Sequence, residues 1–116
     1  MKKNMMDDMV SVDDIMLAID KINRFCHGVT KKQFLKNEIL CDAVARNLEI
    51  VGEASSRLSA AFKKKHEEIE WRKIIGMRNR MIHAYDVVDY GIVWDVIKKD
   101  LPKLESNLRK IIDAPA

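Results

Sequence analysis

The sequence predicts an all-α protein, an up-and-down bundle of four to five helices, on three observations. The 116 residues include only 4 Gly and 2 Pro, and tight turns draw on those residues, so a many-stranded sandwich or barrel is disfavoured. Apolar residues recur at spacings of three and four along most of the chain, which is the helix period. No run alternates in the strand period, and there is no internal repeat or low-complexity tract. Hydrophobic residues make up 47% and charged residues 34%, a mix that supports a core. One domain of this size buries roughly two-thirds of its unfolded surface. It has little material left to wall off a deep private pocket, so any site is expected to be shallow or shared between chains.

The elements follow in order. Residues 1–11, with Met1, Met5, Met6 and Met9, are expected to form a mobile N-terminus. Ser11-Val12-Asp13-Asp14 has the form of a capping box, with Asp in place of the usual Glu or Gln. Val12, Ile15, Ile19, Ile22 and Phe25 make one stripe, which predicts a first helix over about 12–26. His27-Gly28 should end it. Thr30 can cap a short helix over about 31–36. Asn37 can cap the next, predicted to run unbroken from about 38 to 64. Gly52 falls in its middle at a cost of about 1 kcal/mol against Ala, which points to close approach of another helix. Lys63–Glu70 reads as a charged connection. A fourth helix should run from Glu70-Trp71 to Ile82–His83. Asp89 can cap a fifth, and Pro102 predicts a kink near Asp100 and a last segment over about 102–112.

Composition excludes several classes. No stretch approaches the ~18–20 apolar residues of a membrane span. Lys2 and Lys3 are followed by Asp7 and Asp8 rather than an apolar run, so no signal peptide is expected and the chain reads as cytoplasmic. Cys26 and Cys41 match no metal pair and read as reduced, partly buried thiols. The net charge of +3 does not by itself argue for nucleic acid.

Where the charge sits is more telling. From Trp71 to Tyr85 stand Arg72, Lys73, Arg78, Arg80 and His83, with no acid. Such a segment attracts phosphate; a solvated helix face is the plain alternative. An Arg and a His suit metal-free phosphodiester cleavage. The imidazole moves protons near neutral pH, and the guanidinium neutralises charge on phosphate oxygens. RNA supplies its own nucleophile, the 2′-hydroxyl. On a straight helix Arg78 and His83 lie about 140° apart, so they share a site only if Arg78 reaches round or the helix ends near His83.

Arg78, His83 and Tyr85 fit Arg-x4-His-x-Tyr. The blocks Asp42–Ala54, Trp71–Asn79, Ile92-Val93-Trp94 and Asp100-Leu101-Pro102 stand in order around it. On these residues, from about Asp13 to Ile112, the chain resembles the HepT-like branch of the HEPN superfamily. The prolines that family tends to carry before the Trp are replaced by Glu67 and Glu70, which bears on the local turn. The resemblance implies an α-helical homodimer and a metal-independent endoribonuclease toxin of a type VII-like toxin–antitoxin system, without a cofactor. Arg78 and His83 would be catalytic at a cleft between two copies, with Asn79 and Arg80 in support. A partner MntA-like minimal nucleotidyltransferase would neutralise the toxin by adding AMP to Tyr85. The alternative is a non-catalytic HEPN module that scaffolds a nucleotidyltransferase or binds nucleotide.

Other residues have plainer readings. Arg46 and Glu53 are expected either on a salt-bridged bundle surface or at the cleft border. Arg80 either touches phosphate or is solvated. His27 is expected to complement a helix C-terminus and His66 to be exposed. Trp71, Trp94, Met16, Met77 and Met81 read as core or interface packing.

Overall fold

The computed structural model describes residues 5–82 and 87–115. It is all-α, as predicted. α1 spans Met5–Phe25, α2 Lys31–Lys36, α3 Glu38–Ser56, α4 Ala60–Lys65, α5 Trp71–Ile75 and α6 Met77–Met81. α7 spans Tyr90–Asp95, a π-turn covers Val96–Asp100, and α8 runs over Leu101–Asp113. α3 is the central rod: it packs on α1, α5, α6 and α7, while α8 closes against α1. The Cα envelope is 20 Å in its thinnest direction, about two helix layers.

Local signals place many of the boundaries. Thr30 Oγ1 accepts the Gln33 N–H at 3.2 Å and Gln33 Oε1 accepts the Thr30 N–H at 3.0 Å, a complete capping box on α2. Asn37 Oδ1 caps α3 through the Leu40 N–H at 3.0 Å. Asp89 Oδ1 caps α7 through the Ile92 N–H at 3.1 Å. Gly28, at φ +72°, takes the left-handed conformation that ends α1. Pro102 stands in the first turn of α8, just after the π-turn, where the Leu101 N–H reaches back to the Val96 carbonyl. The kink expected near Asp100 is thus a one-turn widening, which accommodates a residue that cannot donate to the helix ladder.

The first helix starts earlier than its pattern suggested. Ser11 does not cap it; Ser11 is buried within a helix that already begins at Met5. The segment expected to be mobile is therefore helical from Met5 onward. Asp8 is the reason. It is 4% exposed, and its carboxylate accepts the Ser59 N–H at 2.8 Å and the Ser59 Oγ–H at 2.7 Å. Phe25 also departs from the apolar stripe: it is exposed, and Cys26 takes the buried position after Ile22.

The same Asp8–Ser59 contact divides the helix predicted over 38–64. The Ser59 N–H points to Asp8 instead of a helical carbonyl, and Ser59 Oγ caps α4 through the Phe62 N–H at 3.1 Å. Gly52 stands where a helix was expected to approach. A Cβ there would lie 3.6 Å from the Ile74 carbonyl oxygen and 3.7 Å from that of Ile75, so α3 rests on the end of α5. The predicted fourth helix is also divided, at Gly76, whose φ −81° and ψ 3° end α5 and start α6.

The core gathers Ile15, Ile19 and Ile22 of α1, Val44, Leu48 and Val51 of α3, and Leu101, Leu104 and Leu108 of α8. Each buried side chain of this kind contributes about 1.5–3 kcal/mol. Met77 and Met81 are buried on α6 and Met16 is half-buried, as expected of packing residues. Trp71 is buried and its Nε1–H donates to the His66 carbonyl at 3.0 Å. Trp94 tilts against Phe34 with ring centroids 5.2 Å apart. His66, expected to be exposed, is mostly covered: its ring lies 4.5 Å from that of Phe62. Cys26 and Cys41 are free thiols. Burial pushes both pKa values up, and the Cys41 thiol donates to the Phe34 carbonyl at 3.1 Å.

Candidate functional site

α6 carries the basic motif, and its two buried methionines orient it. Met77 and Met81 face α3 and the core, so the intervening Arg78, Asn79 and Arg80 are exposed. Residues two apart on a helix do not face each other, and Arg78 lies about 160° around the axis from Arg80. The two guanidiniums therefore have different surroundings. Arg80 Nη1 donates to Asp100 Oδ2 at 2.6 Å, and Lys73 Nζ lies 3.2 Å from Asp100 Oδ1. Arg78 forms no ion pair with any described residue. Two of the four cations in the run from Trp71 to Tyr85 thus share one acid from outside it, and Arg78 is exposed to solvent.

Asp100 is held by competing effects. Burial pushes its carboxyl pKa up, but hydrogen bonds and charge from Arg80 and Lys73 outweigh it and hold the pKa below the usual carboxylate value. It is ionised at neutral pH.

α6 stops sooner than predicted. The Ile82 N–H still bonds the Arg78 carbonyl at 3.1 Å, but Ile82 itself is extended at φ −104° and ψ 124°. Ile82 pairs with Val88 in an antiparallel bridge, and the Asp89 N–H donates to the Met81 carbonyl at 2.7 Å. His83 and Tyr85 lie outside the described residues. The helix ends just ahead of His83, so the straight-helix angle of about 140° between it and Arg78 no longer applies.

A second tie anchors the far side of this segment. Tyr90 Oη–H donates to Asp42 Oδ1 at 2.6 Å, joining the start of α7 to α3. That bond, then partial burial, raises the Tyr90 phenol pKa from 10.0 to about 12. Sequence reading missed this pair and the Asp100 pair, because each joins residues far apart in the chain. The only hint was that Asp42 and Asp100 begin two of the quoted blocks.

Of the remaining candidates, Arg46 pairs with Glu49 at 3.6 Å on the surface of α3, and Glu53 is exposed there. His27 is exposed past the end of α1, near Asn23 and Arg24. Among the described residues, no group of three His, Cys, Asp or Glu side chains could hold a metal ion. No helix among them is long and apolar enough to cross a membrane. A cleft of about 90 Å³ lies between α5 and α8, beside Lys73 and Asp100. It is far smaller than the ~300 Å³ at which ligand pockets begin.

Relatives with curated names point in one direction. The chain is 39% identical over 100 residues to a protein of Thermococcus cleftensis named "Probable ribonuclease HepT", covering 86% of this chain and 91% of that one. It is 40% identical over 85 residues to a Caldanaerobacter subterraneus protein with a provisional RNase name, covering 73% and 76%. A longer Methanocaldococcus jannaschii protein, named as a gamma-glutamylcyclotransferase and provisional RNase, is 36% identical over 107 residues. That match takes in 92% of this chain and 48% of the longer protein. No solved structure matches significantly. Residues 15–111 match the family described as "Ribonuclease HepT-like". With a match of that extent, the chain belongs to the HepT-like ribonuclease family.

Proposed function

We propose that the chain is a metal-independent endoribonuclease, active as a homodimer, that cuts RNA with Arg78 and His83. The observation that carries this reading is Arg78 itself. It is exposed on α6 without a described acidic partner and stands five residues before His83, in a chain of a ribonuclease family. Arg80 is held by Asp100 and serves in support, and Asn79, exposed beside Arg78, orients a phosphate oxygen.

The chemistry balances without a metal. One neutral His83 imidazole takes the proton from the 2′-hydroxyl as its oxygen attacks phosphorus. The bond from phosphorus to the 5′ oxygen breaks, leaving a 2′,3′-cyclic phosphate. The departing oxygen takes a proton from an imidazolium, which the second copy of His83 supplies in a dimer. Arg78 bonds the non-bridging oxygens and neutralises the charge that grows on them. An envelope about two helices thick also favours a site completed by a second copy.

We further propose that the protein is the toxin of a type VII-like toxin–antitoxin pair. A partner minimal nucleotidyltransferase adds AMP to Tyr85, two residues from His83. The bulk and negative charge then keep RNA out.

The test is cleavage of several RNAs in EDTA. Wild type should release 2′,3′-cyclic phosphate ends, and Arg78→Ala or His83→Ala should slow this by about 10²–10⁴-fold. Equal rates for wild type and both variants would refute the nuclease reading. After co-expression with the transferase, intact mass should rise by AMP increments that Tyr85→Phe abolishes. Increments that survive that substitution would refute the modification site.

A further inference from the structure

The helix that presents Arg78 cannot hold its own direction. α5 and α6 have five residues each, well short of the ~12 that an isolated helix needs for marginal stability. Between them Gly76 breaks the ladder. The angle across that break must come from what packs around it. On one side α3 lies against the Ile74 and Ile75 carbonyls at Gly52. The Asp89 N–H ties the far end of α6 through the Met81 carbonyl, and one carboxylate spans the break itself. Asp100 Oδ1 holds Lys73 of α5 at 3.2 Å and Oδ2 holds Arg80 of α6 at 2.6 Å, one oxygen to each side of the break.

The placement of this carboxylate is specific. Asp100 is the last residue of the π-turn that precedes Pro102, and its side chain is only 12% exposed. Water and salt therefore screen it far less than the open pair of Asp20 and Arg24, whose side chains are 62% and 61% exposed. Lys73 belongs to α5 and Arg80 to α6, so one short acid reaches both only while the two helices keep their relative placement across Gly76.

We propose that Asp100 is a positioning residue that staples α5 to α6 across Gly76 and thereby aims Arg78. Its activity readout rests on the ribonuclease reading above; its structural readout does not. Asp100→Asn keeps the shape and removes the charge. Asp100→Asn and Arg80→Gln should each lower kcat by on the order of tenfold, as a small misplacement does, with KM within about twofold. The double variant should be no worse than either single, because both remove the same staple. Amides of residues 77–82 should exchange about tenfold faster in Asp100→Asn, while those of α1 and α3 keep their protection.

Other results overturn the proposal. If Arg80→Gln raises KM and flattens its salt dependence while Asp100→Asn changes nothing, Arg80 is a phosphate contact and not half of a staple. If the two losses multiply in the double variant, the residues act independently. If wild type cuts no RNA, the ribonuclease reading falls, and exchange alone decides the staple; unchanged exchange at 77–82 refutes it. Should Asp100→Asn fail to fold, Arg80→Gln, which removes a partly exposed side chain, decides by the same split between kcat and KM.

Discussion

Replacing Asp8 by Ala should destabilise the fold strongly, although Asp8 stands seven residues after the first Met. The carboxylate is 4% exposed and takes two hydrogen bonds from Ser59, at 2.8 Å and 2.7 Å. Hydrogen bonds to a charged group contribute about 1.5–3 kcal/mol each. Ser59 is only partly buried, so the lower value applies, and the two sum to about 3 kcal/mol. At about 4 °C per kcal/mol for a domain of this size, Tm should fall by about 12 °C. Asp8→Asn keeps one acceptor oxygen and should lose about half as much. Helix circular dichroism at 222 nm, followed in heat and in urea, measures both. A chain shortened to begin at Val12 should be at least as unstable as Asp8→Ala. A Tm within about 2 °C of wild type for either would show that the first turns of α1 do not hold the α3–α4 corner, and the reasoning would fail.

Tyr90 and Gly52 offer two further checks. The Tyr90 phenol pKa is raised from 10.0 to about 12, so its bond to Asp42 should contribute fully below pH ~10 and fade as pH climbs through about 12. Ultraviolet titration should show one tyrosine ionising near 12 that is missing in Tyr90→Phe; two tyrosines ionising near 10 would contradict the bond. The substitution itself should cost at most about 1 kcal/mol, because solvent reaches the pair. A Cβ at Gly52 would meet carbonyl oxygens at 3.6 Å and 3.7 Å, an ordinary contact. Gly52→Ala should therefore gain up to about 1 kcal/mol of helix propensity and raise Tm by up to about 4 °C. Gly52→Leu should lower it by pushing α5 away, and an Ala variant that melts below wild type would show that the gap is tighter than its geometry.

What could be read in the chain order was whatever a residue does to its near neighbours. Thr30, Asn37, Asp89 and Gly28 act within three or four positions, so their caps and turns were legible. The period of the apolar residues revealed the bundle, and Pro102 announced the kink because its missing N–H is a property of the residue itself. The Arg78–His83–Tyr85 spacing and its flanking blocks pointed to the family. The exposure of Arg78 follows from Met77 and Met81, which turn inward on either side of it.

The rest depended on partners distant in sequence. The apolar pattern runs straight through Arg57 and Leu58, and only Asp8, 51 positions from Ser59, turns the chain there. The basic run from Trp71 looks like an open phosphate surface, yet Asp100, 20 positions from Arg80, pairs with one of its guanidiniums. Sequence by itself determined the helices, the core and the motif, because propensity, capping and periodicity act over a few residues. Tertiary structure alone decided where two of those helices break and which arginine pairs with an acid among the described residues. Hydrogen bonds and ion pairs form between groups that are near in space, and nearness in space is settled only when the bundle closes.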